Sequence, residues 1–203
     1  PGRPILVAVR PRNLSRVYCR ILEQKPYSEN YEKFKHDRRN SRVRALLASE
    51  IAEEWTAALP DPLDYKSHVT DIATPSLPLG SYILVISARE DFSMTRRNGL
   101  AVGEFQVTKL SMLHQGRRSQ TQSIWVCDAW HGQALAGVTT HWSPRRPYRS
   151  ISEVEDIPTW TVLSDSNGCV TVETDKTSNA FSVWLEYGDD RFEVLTIAAG
   201  RDD

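Results

Sequence analysis

From Val17 to Leu22 the chain alternates. Val17, Cys19 and Ile21 fall on one side, and Tyr18, Arg20 and Leu22 on the other. That period of two predicts a half-buried strand. Ile5 to Arg10 precedes it as an apolar strand, closed by Pro11-Arg12-Asn13. The pattern then changes. Val43, Leu47, Ile51, Trp55 and Leu59 recur at every fourth position, with Leu46 and Ala58 widening the stripe. Arg42, Arg44, Glu50, Glu53 and Glu54 cover the opposite side. This spacing predicts an amphipathic α-helix over 41–59, with Ser41 as N-cap and Pro60 and Pro62 as stops. Its apolar stripe has to be covered, so the helix is expected to pack on the neighbouring strands. Ser67 to Ala73 and Ser81 to Ala88 follow as strands around the turn "TPSLPLG". Leu100 to Leu113 is a long strand-like segment that bends near its middle.

The second half holds strands only. Gln122 to Ala129, Gly137 to Trp142, Thr159 to Leu163, Cys169 to Thr174, Ala180 to Tyr187 and Phe192 to Ile197 each carry the strand pattern. His131-Gly132, Asp165-Ser166-Asn167-Gly168 and Gly188-Asp189-Asp190 mark turns between them. Gly132 and Gly137 bracket a hairpin, and Asn167-Gly168 suits a type I′ turn. Asp189-Asp190 is expected to cap a further turn. With Lys109 to Leu113 as a first strand, about seven short strands make an antiparallel β-sandwich. The fold class is therefore mainly β, with two antiparallel, immunoglobulin-like β-sandwich domains. The first, 1–108, shows about five strands and carries the helix as an insertion; the second is 109–203. "VGEFQVTKLSML" closes one and opens the other with almost no linker, which predicts a stiff array of domains.

Composition narrows the function. The chain has 203 residues, 40% hydrophobic and 25% charged, which excludes general disorder. A net charge of -1 gives no global field for nucleic acid. Arg145, Arg146 and Arg149 form one basic cluster, read as a solvated loop rather than an anion site. No apolar run is long enough to span a bilayer. The chain begins at Pro1 with no signal peptide, which reads as a processed product or a piece of something larger. Cys19, Cys127 and Cys169 match no zinc spacing and read as buried thiols, a Cys127–Cys169 disulfide being the alternative.

Candidate chemistry is sparse. His131 and His141 flank a hairpin near Asp128 and His114, a possible metal set, though turn histidines are commoner on surfaces. Asp165, Asn167 and Asp175 resemble a calcium loop without EF-hand spacing, and turn chemistry explains Asp165 and Asn167 equally well. Trp130, Trp142, Trp160 and Trp184 are candidates for a sugar-stacking platform, but alternation favours the core for most of them. There is no nucleophile elbow, no HExxH and no phosphate-binding glycine loop. No catalytic residue, metal or cofactor is expected, and the chain reads as non-enzymatic.

Four segments carry a family resemblance: "AVGEFQVTKLSML", "IWVCDAWHGQALAGVTTHW", "TWTVLSDSNGCVTVET" and "AFSVWLEYGDDRFEV". Together they resemble a macroglobulin-like domain of bacterial alpha-2-macroglobulins. The matching positions are Val107-Thr108, Asp128 with Gly132, Leu135 and Gly137, Asp165 with Asn167-Gly168, and Gly188-Asp189-Asp190. His131 and Ala134 depart from the usual Thr and Pro. In the first half, "WTAALPDPLDYKSHVTDIATPSLPLGSYILVIS" is similar to a segment of large bacterial members. The resemblance implies scaffold domains of a longer protein, exported to the periplasm or cell envelope, with a lipoprotein anchor as one option. It also implies that the longer protein traps proteases through a bait segment, and that these domains touch neighbouring domains of the same chain. A carbohydrate- or peptide-binding surface module is the competing reading, favoured if the Trp side chains are exposed.

The family's internal thioester joins a Cys to a Gln in Cys-x-x-Gln, with Glu before the Gln, in a separate helical domain. "CRILEQ" at 19–24 looks similar, but Gln24 lies five residues after Cys19. In a strand that is about 16 Å, with the two side chains on opposite faces. Cys19 is therefore expected to be a decoy facing the core.

Overall fold

The computed structural model describes residues 2–25, 29, 33, 41–60, 66–94, 99–115, 121–144, 159–173 and 180–198. Contacts divide the chain into two compact units, Pro1–Val107 and Thr108–Asp203. The first contains β1 (Leu6–Val9), β2 (Arg16–Glu23), α1 (Ser41–Ala48), β3 (Ile51–Ala58), β4 (Thr70–Ala73), β5 (Gly80–Ser87) and β6 (Leu100–Val107). Strands β3-β2-β5-β6 form one antiparallel sheet, and β1 pairs with β4 in a second. Alternation along β2 places Val17, Cys19 and Ile21 against Tyr82, Leu84, Ile72, Leu77 and Val107, between the sheets. The opposite face buries Leu22, Ile83 and Val85 with Leu46 and Phe92. Both faces of β5 are thus covered, which is why "YILV" reads as an unbroken apolar run rather than an alternation.

The predicted helix over 41–59 is corrected to a short helix and a strand. Helix α1 ends at Ala48, and β3 then pairs antiparallel with β2, Cys19 opposite Trp55 and Val17 opposite Ala57. A spacing of four is also a multiple of two, so positions such as Trp55 and Leu59 share a face in a strand just as they do on a helix. Trp55, Ala57 and Leu59 pack on the inner core. Ile51 stays exposed beside a register shift opposite Ile21 and Leu22. The helix does pack on the sheet, but through Ala45 and Leu46, while Leu47 of the predicted stripe is 53% exposed. Ser49 bonds back to the Ala45 carbonyl at 2.7 Å just past its end. The Ser41 side chain and residues 61–65 lie outside the described residues. The unit therefore has six described strands, not five.

Phe92 was not singled out by pattern. It sits at φ 49 and is 1% exposed, packed under the sheet with the Arg20 guanidinium 3.9 Å above its ring. A bulky residue at positive φ needs support. Asp91 supplies it, accepting from Arg89 Nε at 3.1 Å and from Ser93 Oγ at 2.9 Å. The hydrogen bonds from Arg89, then those from Ser93, hold the Asp91 carboxyl well below the usual carboxylate range.

Within 100–113 the chain forms two strands: β6 ends at Val107 and β7 (Leu110–Gln115) opens the second unit. There β8 (Thr121–Asp128), β9 (Thr139–Pro144), β10 (Trp160–Leu163), β11 (Cys169–Glu173), β12 (Ala180–Tyr187) and β13 (Asp190–Ala198) complete seven strands. They form two antiparallel sheets, β11-β8-β7 and β10-β9-β12-β13. Ile124, Val126, Val138, Trp142, Val170, Phe181, Val183 and Leu185 fill the space between them. The rings of Trp142 and Trp160 meet Phe181 edge-on, with centroids 6.3 and 6.0 Å away.

Two turns differ from expectation. Gly168 has φ +71 but Asn167 does not have positive φ, so the type I′ turn is excluded. Instead Gly168 N donates to the Asp165 carbonyl at 2.9 Å, and Asp165 Oδ1 accepts from the N–H groups of Asn167 and Cys169, both at 2.8 Å. At the other turn Gly188 supplies the positive φ of a two-residue hairpin loop between Tyr187 and Asp190. Asp190 does not cap that turn; its side chain is engaged elsewhere.

Candidate functional site

The thioester candidate resolves at the level of one strand. Cys19 is 0% exposed among Val17, Ile21, Tyr82 and Leu84. Burial pushes its thiol up to about 11, because a thiolate there would be stripped of water. At neutral pH about one thiol in ten thousand is ionised. Gln24 lies beyond the end of β2, so the extended strand holds its carboxamide away from the sulfur.

The structure does not assemble the predicted tryptophan platform. Trp142 is 0% exposed and points into the sandwich. Trp160 is its register partner across β9 and β10, and packs against the same core. Trp130 is 54% exposed in the turn after β8. Trp184 lies on the outer face of the four-stranded sheet, with His141 stacked on it at 4.9 Å and 9°. The Arg191 guanidinium lies 5.8 Å from the same ring, which leaves Trp184 little free face for a sugar. Trp125 is half-buried on the outer side of β8.

The histidines are dispersed. His114 bonds Gln122 at 3.0 Å, His131 bonds Asp128 at 2.9 Å, and His141 lies between Glu186 at 3.3 Å and Thr161 at 3.2 Å. Asp128 Oδ1 also accepts from the N–H groups of Trp130 and His131, at 2.9 and 2.8 Å. These bonds, that from the His131 N–H first, lower the Asp128 carboxyl below its ordinary range. Asp128 therefore works as a turn former. Among the described residues, no group of three or more His, Cys, Asp or Glu side chains could hold a metal ion. Asp175 and the cluster Arg145, Arg146 and Arg149 lie outside the described residues.

Cys127 and Cys169 are free, half-buried thiols, one on β8 and one on the adjacent β11. Cys169 stands opposite Trp125 rather than Cys127, and its sulfur lies 3.9 Å from Thr171 Oγ1. The alternative disulfide is therefore not formed.

One structural arrangement had no signal in the sequence. The Lys109 N–H donates to Asp190 Oδ2 at 2.7 Å, pinning the first residues of the second unit to its last hairpin. Asp190 is 6% exposed, and its Oδ1 is buried with no hydrogen-bond partner. Adjacent turn carboxylates gave no signal for this bond, because its partner is a backbone group distant in sequence.

Two successive β-sandwich units, the first with a helix on its outer sheet face, define the fold class. That fold is shared with domains of a bacterial alpha-2-macroglobulin. A crystal structure of the native Escherichia coli protein spanning domains NIE-MG1 aligns with a TM-score of 0.56 over 98% of both chains, at 12% identity. A second, spanning domains MG0-NIE-MG1, aligns with a TM-score of 0.57 over 98% of this chain at 12% identity. This chain spans 59% of that longer structure. No family model matches the sequence, and no curated protein matches it.

Proposed function

We propose that this chain is a pair of non-catalytic scaffold domains from a bacterial alpha-2-macroglobulin-like protein. The observation that carries the reading is the fold match to the Escherichia coli structure spanning domains NIE-MG1, at 98% coverage of each chain. Further support comes from where the polar groups go. Asp91, Asp128, Asp165 and Asp190 are all engaged by nearby backbone or side-chain donors that shape turns and the entry to a sheet. In this reading the longer protein is exported, to the periplasm or cell envelope, and traps proteases that cut its bait segment. Capture chemistry resides in other domains, and these two sandwiches hold position.

The test is a trapping assay on the longer protein. It is incubated with a broad-specificity protease, and cleavage of a bulky protein substrate and a small chromogenic peptide is followed. Loss of bulky-substrate cleavage with the peptide still cut supports caging. Unchanged cleavage of both, with the protein merely degraded, removes the trapping function.

A further inference from the structure

The inner face of β6 leaves a gap in the first unit. Ala101 and Gly103 stand opposite Ile86 and Leu84, which pack on the core between the sheets. At both positions β6 offers almost no side chain to cover its neighbours. The result is a trough of about 400 Å³. Val7, Val9, Leu14 and Ile86 wall it, and each is only half-buried. The volume falls within the range of about 300–1,000 Å³ that small-molecule sites occupy.

The strands set its shape. Most of the lining comes from three stretches, 7–11, 84–88 and 99–103, and register lays the last two side by side. Four strand steps span about 13 Å. Divided into the volume, that length leaves a cross-section of about 30 Å². A slot so long and narrow suits one extended chain rather than a ring system. With C–C bonds of about 1.5 Å, each advancing about 1.25 Å, about ten carbons fill it.

The walls set its chemistry. Among the described residues they are aliphatic, with no aromatic ring to stack on a planar ligand. The polar side chains are Arg10 and Ser87, and Ser87 Oγ already accepts the Arg89 N–H at 3.0 Å. Arg10 is a single cation and β6 itself carries Glu104, so charge selects no head group. Affinity must then come from burying methylenes. We propose that this trough binds the alkyl chain of a single-chain amphiphile, about ten carbons long, with its polar head left in water. The proposal is independent of protease trapping.

The test uses this chain and the straight-chain alcohols hexanol, octanol and decanol, followed by methyl resonances. The methyls of Val7, Val9, Leu14 and Ile86 should shift saturably. Affinity should rise about tenfold for each two added methylenes. Decanoate and decyltrimethylammonium should bind within about fivefold of decanol, since a lone surface charge adds little. Cyclodecanol, with the same carbons in a ring, needs no protein variant and should bind at least about tenfold more weakly. Gly103→Leu fills the trough; a Cβ at Gly103 meets nothing within 4 Å, so the variant is expected to fold. It should weaken decanol at least about tenfold. Absence of saturable shifts, affinity that ignores chain length, equal binding of cyclodecanol and decanol, or binding of decanoate alone would overturn the proposal. Sedimentation with phosphatidylcholine vesicles, without binding of monomeric decanol, would overturn it in favour of a membrane surface.

Discussion

Asp190 Oδ2 accepts a 2.7 Å hydrogen bond from the backbone N–H of Lys109, across 81 residues of sequence. The bond joins the start of the second unit to the beginning of its last strand. A bond from a backbone donor to a carboxylate contributes about 1.5–3 kcal/mol when water is excluded. Asp190→Ala should lower the stability of the second unit by about that amount. Asp190→Asn should cost less, because the amide oxygen can still accept. Five of the six tryptophans lie in this unit, so denaturant unfolding followed by Trp fluorescence reports mainly on it. Equal stability of the three proteins would show that the bond is incidental.

Gly168 gives a sharper contrast. Its φ is +71, and an added Cβ would stand 2.3 Å from the Val126 carbonyl oxygen. That oxygen already accepts the Leu135 N–H at 3.0 Å, so it cannot move without breaking a second bond. Gly168→Ala should therefore cost about 2–4 kcal/mol through strain and clash together. Gly137 has φ +73 with nothing within 4 Å of the added carbon. Gly137→Ala should cost only the left-handed penalty, about 1–2 kcal/mol. The same unfolding experiment compares them, and equal losses would remove the role given to the Val126 contact.

Much of the fold was legible because strand alternation is a local signal. Val17, Cys19 and Ile21 announced the inner face of β2, and the strands of the second unit lie within a few residues of where their patterns end. The helix over 41–59 failed for a definable reason. Positions four apart share a face in both periodicities, so Ile51, Trp55 and Leu59 could not discriminate. Pairing with β2 decided the matter, and pairing is a non-local fact. The same limit hid the Lys109–Asp190 bond, whose partners are 81 residues apart. The tryptophans were legible only in part. Alternation put Trp142 in the core, but only cross-strand register puts His141 over Trp184.

The corrected helix makes its own prediction. Leu46 is 7% exposed and packs with Leu22, Ile83, Val85 and Phe92, whereas Leu47 is 53% exposed. Leu46→Ala should destabilise the first unit by about 2–4 kcal/mol, the ordinary result of emptying a buried leucine site. Leu47→Ala should change stability by no more than about 0.5 kcal/mol. A continuous helix over 41–59 would make both substitutions costly, since Leu46 and Leu47 both belong to its apolar stripe. Amide exchange across the first unit measures both.

Cys19 connects burial to pH. Its thiol ionises at about 11 in the folded protein against 9.0 for an unperturbed thiol. Below pH 9 both states hold the proton, and stability is unaffected. As pH rises from about 9, the unfolded chain releases its proton first, the folded state binds more, and stability falls. The loss levels off above about 11, at about 2–3 kcal/mol. Cys19→Val should remove this component, so the stability difference between variant and parent should move in the variant's favour between pH 8 and 10.5. Tyr82, whose hydroxyl is also raised by burial and then by Glu23, contributes equally to both proteins and cancels. Thiol labelling offers an independent check: Cys127 and Cys169 should react in the folded protein, and Cys19 only once denaturant opens the core. Rapid labelling of Cys19 in the folded state, or a pH-independent difference between the two proteins, would mean that its thiol is not sealed between the sheets.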